Sequence, residues 1–182
     1  MDRPDASVAL LRGINVGGKN RVAMKDLVGL FLAAGCEDVT TYIQSGNVIF
    51  RASPTLLARL PALLTKRIES DFGMRIPVVL RTAGELRDVA RLNPFLDVGG
   101  PTEALHVALL ADLPSPQSVA ALAPNRSPPD QFRVVGREIY LRLPNGVART
   151  KLTNAWFDSR LATVSTLRNW RTLLELIERT AD

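Results

Sequence analysis

Asp38-Val39-Thr40-Thr41-Tyr42-Ile43-Gln44-Ser45-Gly46-Asn47-Val48-Ile49-Phe50-Arg51 is the stretch on which the fold turns. Two runs rich in β-branched and aromatic residues, 38–43 and 47–51, flank Gln44-Ser45-Gly46, which is the pattern of a β-hairpin. Upstream, Ser7–Leu11 (SVALL) is a short apolar run that reads as a buried strand. Met24–Ala34 then places Met24, Leu27, Val28, Phe31 and Leu32 at helical spacing before Gly35 stops it. Downstream, Ser53 caps and Pro54 opens a helix that continues to about Ser70, and Ile76–Leu80 is a further strand. The order β-α-β-β-α-β is the split βαβ, or ferredoxin-like, unit.

The pattern then resumes. Thr82 caps a helix through about Leu92, which Asn93-Pro94 ends. Ala104–Leu110 reads as a strand and Ser115–Ala123 as a short helix. Phe132–Val135 and Glu138–Leu143 read as strands turned by Gly136-Arg137, followed by helices over Thr150–Phe157 and Leu167–Thr180. This second pass is β-α-β-β-α, with no clear last strand. The expectation is an α+β protein of two ferredoxin-like halves, residues 1–92 and 93–182, with the seam between Asn93 and Pro101, forming one compact unit.

At 182 residues, with 46% hydrophobic and 23% charged, the chain can bury a sizeable core and is not a disordered polymer. No apolar run is long enough to span a bilayer, and the charged start, Met1–Asp5, has no signal-peptide character. One cysteine allows no internal disulfide and one histidine no histidine-rich metal site. A cytoplasmic protein without metal or cofactor is expected.

The net charge is +5, and 19 of the 23 basic residues are arginine, whose planar fork suits phosphate and carboxylate. Between Asp5 and Asp26 lie Arg12, Lys19, Arg21 and Lys25 and no acid, giving +4. From Ile139 to Leu174, Arg142, Arg149, Lys151, Arg160, Arg168 and Arg171 stand against Asp158 alone, giving +5. These stretches hold +9 together, so the rest of the chain carries −4. If they meet in space they form one anion-attracting surface.

Gly13-Ile14-Asn15-Val16-Gly17-Gly18-Lys19-Asn20 follows a strand and precedes a helix, close to the phosphate-loop pattern, but Asn20 stands where a magnesium-binding hydroxyl belongs. An anion held by loop amides and Lys19 without a metal fits better than nucleotide hydrolysis. The hairpin tip adds Gln44, Ser45 and Asn47, neutral hydrogen-bonding groups. If the first and third strands are neighbours, the tip and the glycine loop share one edge of the sheet. Arg149, Lys151 and Asn154, then Arg168 and Asn169, read as residues at helix starts, where a base is disfavoured unless an anion is bound. Cys36 follows a helix-capping glycine and lacks a basic neighbour, His106 lies in an apolar strand, and both read as structural. Trp156 and Trp170 read as core aromatics. No nucleophile elbow or paired carboxylate suggests a reaction.

Four blocks resemble the bacterial domain-of-unknown-function family 1697: LLRGINVGGKNRVAMKDL (10–27), TYIQSGNVIF (41–50), LPNGVARTKLTN (143–154) and TLRNWRTLLEL (166–176). The resemblance implies a cytoplasmic α+β protein with two ferredoxin-like halves and implies no reaction.

Three functions fit. The first is a module binding a phosphate-bearing partner, nucleic acid or nucleotide, through Arg12, Asn15, Gly17, Gly18, Lys19, Asn20, Gln44, Ser45, Asn47, Arg149, Lys151, Asn154, Arg168 and Asn169. The second is an enzyme acting on a small phosphorylated or carboxylated metabolite, with Arg12, Lys19, Lys151 and Arg168 stabilising charge. The third is a self-associating protein joined through sheet edges, so that monomer and homodimer both remain open.

Overall fold

The computed structural model describes residues 4–181. The chain divides into two units: the residues up to Leu86 together with those from Leu176 onward, and Arg87–Glu175.

The first unit runs β1 (Ala6–Leu11), α1 (Met24–Ala33), β2 (Glu37–Tyr42), β3 (Asn47–Arg51), α2 (Pro54–Phe72) and β4 (Val78–Thr82). The strands form one antiparallel sheet in the order β2-β3-β1-β4. Alternation explains its packing, since successive side chains of a strand point to opposite faces. Ala9, Leu11, Val48, Phe50 and Val78 meet Leu27 and Phe31 of α1 and Leu56, Leu60, Leu64 and Ile68 of α2 in a single core. Val8, Leu10, Asn47, Ile49, Arg51 and Arg81, on the opposite parity, are also at most 9% exposed, so neither face of the central strands is open to water.

The helix signals act as expected. Ser53 Oγ accepts from the Leu56 N–H, with Pro54 in the first turn. After α1 the Cys36 N–H donates to Phe31 O and the Gly35 N–H to Leu32 O, the paired bonds of a Schellman cap.

The second unit contains β5 (Leu105–Leu110), α4 (Pro116–Ala120), β6 (Gln131–Val135), β7 (Glu138–Arg142), α5 (Asn154–Leu161) and β8 (Ser165–Asn169). Its antiparallel sheet has the order β6-β7-β5-β8. Ala108, Leu110, Ile139 and Leu141 pack against Trp156, Phe157 and Leu161 of α5. Trp156 and Trp170 are 9% and 4% exposed, as expected of core aromatics. The remaining helices are α3 (Ala83–Arg91) after β4 and α6 (Trp170–Arg179) after β8, and the division between units falls within both.

Two expectations are corrected. The second half does have its last strand: β8 pairs with β5 along Leu110↔Ser165 to His106↔Asn169. Arg168 and Asn169 therefore belong to a strand, and the terminal helix begins at Trp170 rather than Leu167. The helix expected over Thr150–Phe157 begins instead at Asn154, with Thr153 Oγ1 accepting from the Trp156 N–H, because the hydroxyl ends the loop as an N-cap.

Aligned by strand register, the two units share residues as well as order. Val8-Ala9-Leu10-Leu11 of β1 recurs as Val107-Ala108-Leu109-Leu110 of β5, and Leu80-Arg81 of β4 as Leu167-Arg168 of β8. Val8 opposes Arg81 just as Val107 opposes Arg168.

Candidate functional site

In the first unit the antiparallel pairing of β1 with β3 puts the glycine loop and the hairpin tip at the same sheet edge. The Leu11 N–H donates to Gly46 O at 2.8 Å. A Cβ at Gly46 would lie 2.9 Å from Leu11 Cβ and 3.1 Å from Leu11 O, at φ +77°, so only glycine allows this approach.

The loop is a miniature hairpin rather than a phosphate loop. Val16 and Lys19 form an antiparallel bridge, the Lys19 N–H donates to Val16 O, and the Asn15 N–H donates to Asn20 O. Gly17 and Gly18, at φ 58° and 75°, supply the two positive-φ positions of its tight turn. The amides of Asn15 and Lys19 are thus bonded within the loop, and α1 begins only at Met24. Those two amides are committed within the loop, while the Lys19 side chain stays exposed.

Its two asparagines are braces. Asn15 Nδ2 donates to Val22 O and to Gln44 O, both at 3.0 Å, while its Oδ1 accepts from the Val22 N–H at 2.9 Å. Asn20 Nδ2 donates to Gly13 O at 3.0 Å. Asn47, fully buried, donates from Nδ2 to Tyr42 O and Ser45 Oγ and holds the tip closed. Arg12 is half-buried, and its backbone N–H donates to Pro77 O. On the loop pair Lys19, Arg21 and Gln44 are exposed and Ser45 is half-buried, and Lys25 is exposed in the first turn of α1.

In the second unit Arg149 and Lys151 are exposed on the loop before α5. The Lys151 N–H donates to Ser127 Oγ and its carbonyl accepts from Arg126 Nε, both at 3.0 Å. The Arg126 guanidinium lies 4.7 Å from the Trp156 ring centroid, a cation–π placement. Arg126 joins this basic group although it lies outside the charge-rich stretch of the sequence. Its signal would have been a buried tryptophan in need of a cover.

Asn154, Arg168 and Asn169 serve the fold. Asn154 Oδ1 lies 3.1 Å from the Ser165 hydroxyl, which also donates to Asp158 Oδ1 at 2.6 Å. Asn169 Oδ1 accepts from the Thr172 N–H and caps α6. Arg168 is 9% exposed, and its Nη1 donates to Thr166 Oγ1 and Leu167 O, each at 2.8 Å. Burial pushes its pKa down to about 10. It is a strand arginine, neither a surface side chain nor a residue at a helix start.

Burial raises the Cys36 thiol to about 11 and so keeps it neutral. Burial lowers the His106 pKa, partly offset by the hydrogen bond between its Nδ1 and Ala104 O. Both fit the structural roles expected of them. Among the described residues no three His, Cys, Asp or Glu side chains group as metal ligands, and no helix is long and apolar enough to cross a membrane.

Fold and site define a mixed α+β protein with two four-stranded antiparallel sheets and an exposed basic loop pair braced from within. The chain belongs to the family described as Protein of unknown function (DUF1697), whose model matches residues 5–140. The blocks 143–154 and 166–176 lie outside that match. The conserved bacterial protein SP0830 from Streptococcus pneumoniae has a similar structure: TM-score 0.66 and 20% identity, over 96% of this chain and 98% of that one. At that identity the likeness shows the fold alone. The curated proteins give no match.

Proposed function

We propose that this chain is a nucleic-acid-binding protein built from two ferredoxin-like copies of one ancestral unit. The shared strand order of the two sheets supports the duplication, as does the recurrence of Val-Ala-Leu-Leu and Leu-Arg at matching registers. Binding does not use an open sheet face, because β1 and β3 are buried throughout and carry no paired aromatics for stacking. It uses loops and a helix start: Lys19, Arg21 and Gln44 on the first unit's loops and Lys25 in the first turn of α1, with Arg126, Arg149 and Lys151 in the second unit.

The observation that carries this reading is the exposed, acid-free hairpin whose two asparagines fix its shape. A preorganised cationic loop loses little freedom when it meets phosphate. A polymer suits it better than a small metabolite, which needs a concave site that covers most of its surface. The lone, buried, neutral Cys36 is consistent with a cytoplasmic setting.

The test is fluorescence anisotropy of labelled single-stranded RNA and DNA, and of a nucleotide, across a salt series. Lys19, Arg21 and Lys25 alone predict a log–log salt slope of at least about −2 on a single strand, and Lys19→Ala should reduce it by about 0.7. Absent binding, or affinity indifferent to salt, rejects the reading.

A further inference from the structure

We infer that Ile43, with Val16 beside it, forms an apolar wedge that contacts the faces of unstacked bases in the nucleic acid that the loop cations hold. This rests on the nucleic-acid reading above and adds the part of the ligand that the loop pair touches besides phosphate.

Three observations converge on it. First, Ile43 has φ +48°. The left-handed region is tolerated by asparagine, as at Asn15 and Asn20, but is a genuine outlier for a β-branched side chain. Such strain persists only where the surroundings enforce it and gathers at functional positions. The enforcement is visible: Asn47 Nδ2 holds Tyr42 O on one side of Ile43, and Asn15 Nδ2 holds Gln44 O on the other.

Second, the strain does not serve the core. Ile43 is 50% exposed and Val16 61% exposed. Each is the immediate chain neighbour of one end of the Asn15–Gln44 hydrogen bond, so two large exposed apolar groups are set on loops tied together. Third, they share the two tied loops with Lys19, Arg21 and Gln44, all exposed, and Val16 is bridged directly to Lys19. Cations meet phosphate, the amide can hydrogen-bond a base edge, and an aliphatic wedge covers an exposed base face, as apolar wedges do at unstacked steps. The loop pair has no aromatic or leucine at its tips, the residues by which a protein surface enters a bilayer, so a lipid surface is the poorer match.

The experiment uses the full chain with Ile43→Gly and Val16→Ser, titrated against a labelled single strand, a perfectly paired duplex of equal length and anionic lipid vesicles. Glycine is at ease at φ +48°, so Ile43→Gly should unfold at a higher temperature than the parent while binding the single strand about fivefold more weakly, with its salt slope unchanged. Val16→Ser should weaken single-strand binding in the same sense, and the duplex should respond to neither variant. A more stable Ile43→Gly that binds the single strand like the parent overturns the wedge and leaves the cationic reading standing. A loss confined to vesicles also overturns it. No binding of any nucleic acid by the parent protein removes both.

Discussion

His106 is the only histidine of the chain, and it sits in β5, one of the two central strands of the second sheet, at 8% exposure. Its folded pKa lies below the ordinary 6.5, because burial disfavours the imidazolium more than the Ala104 carbonyl favours it. The unfolded chain binds the proton more readily, so stability from this group is complete above pH 6.5 and is lost as pH falls from there through the folded pKa. With one imidazole to observe, the Cε1 proton resonance should titrate with a midpoint below 6.5, and a midpoint at or above that value would contradict the burial. His106 was legible because its neighbours in sequence are apolar, and Cys36 because it follows a helix-capping glycine with no basic residue beside it to activate a thiol. Arg168 was not: Arg168-Asn169-Trp170-Arg171 looks like a polar helix start, and only the pairing of Val107 with Arg168 reveals a strand. The asparagines were noticed but assigned to a ligand, since sequence shows a hydrogen-bonding group without showing that its partners are a few residues away.

At the scale of elements, the β2–β3 hairpin and the glycine loop were readable as neighbours, because the split βαβ order puts the first and third strands side by side. Where the strand ends was harder. β2 stops at Tyr42, and Ile43, which its β-branched chemistry assigns to the strand, turns left-handed into the tip. The same tip makes a sharp demand at Gly46, where the β3 lead-in passes against Leu11. Gly46→Ala meets both the positive φ and the Leu11 Cβ and O atoms, and should cost about 3 kcal/mol, read from urea denaturation. A cost below about 1 kcal/mol would mean that the two loops are not held as closely as the Leu11–Gly46 hydrogen bond implies. The cost at Gly46 and the gain expected at Ile43→Gly have opposite signs within three residues, so general loop softness cannot produce both.

At the scale of the whole molecule, the first four-stranded sheet and three strands of the second were foreseeable from element order, whereas the way the chain divides into units was not. The first unit needs residues from Leu176 onward, far along the chain from its own strands. Periodicity reports which face of α6 is apolar and says nothing about which sheet that face will find. The link is physical: the Arg179 guanidinium lies 4.6 Å from the Tyr42 ring centroid, and Arg179 lines a cavity of about 190 Å³ with Ala6, Thr40, Ile49 and Arg51 of the first sheet. Leu176, fully buried, is the apolar anchor of this segment. Leu176→Ala should therefore destabilise by about 2–5 kcal/mol, as large-to-small changes in a packed core do. Its signature is positional: native-state hydrogen exchange should show faster opening of β1 and β3, although the substitution lies more than 120 residues away from Phe50. Loss of protection confined to β5 and β7 would place the end of α6 with the other sheet and refute the discontinuous unit.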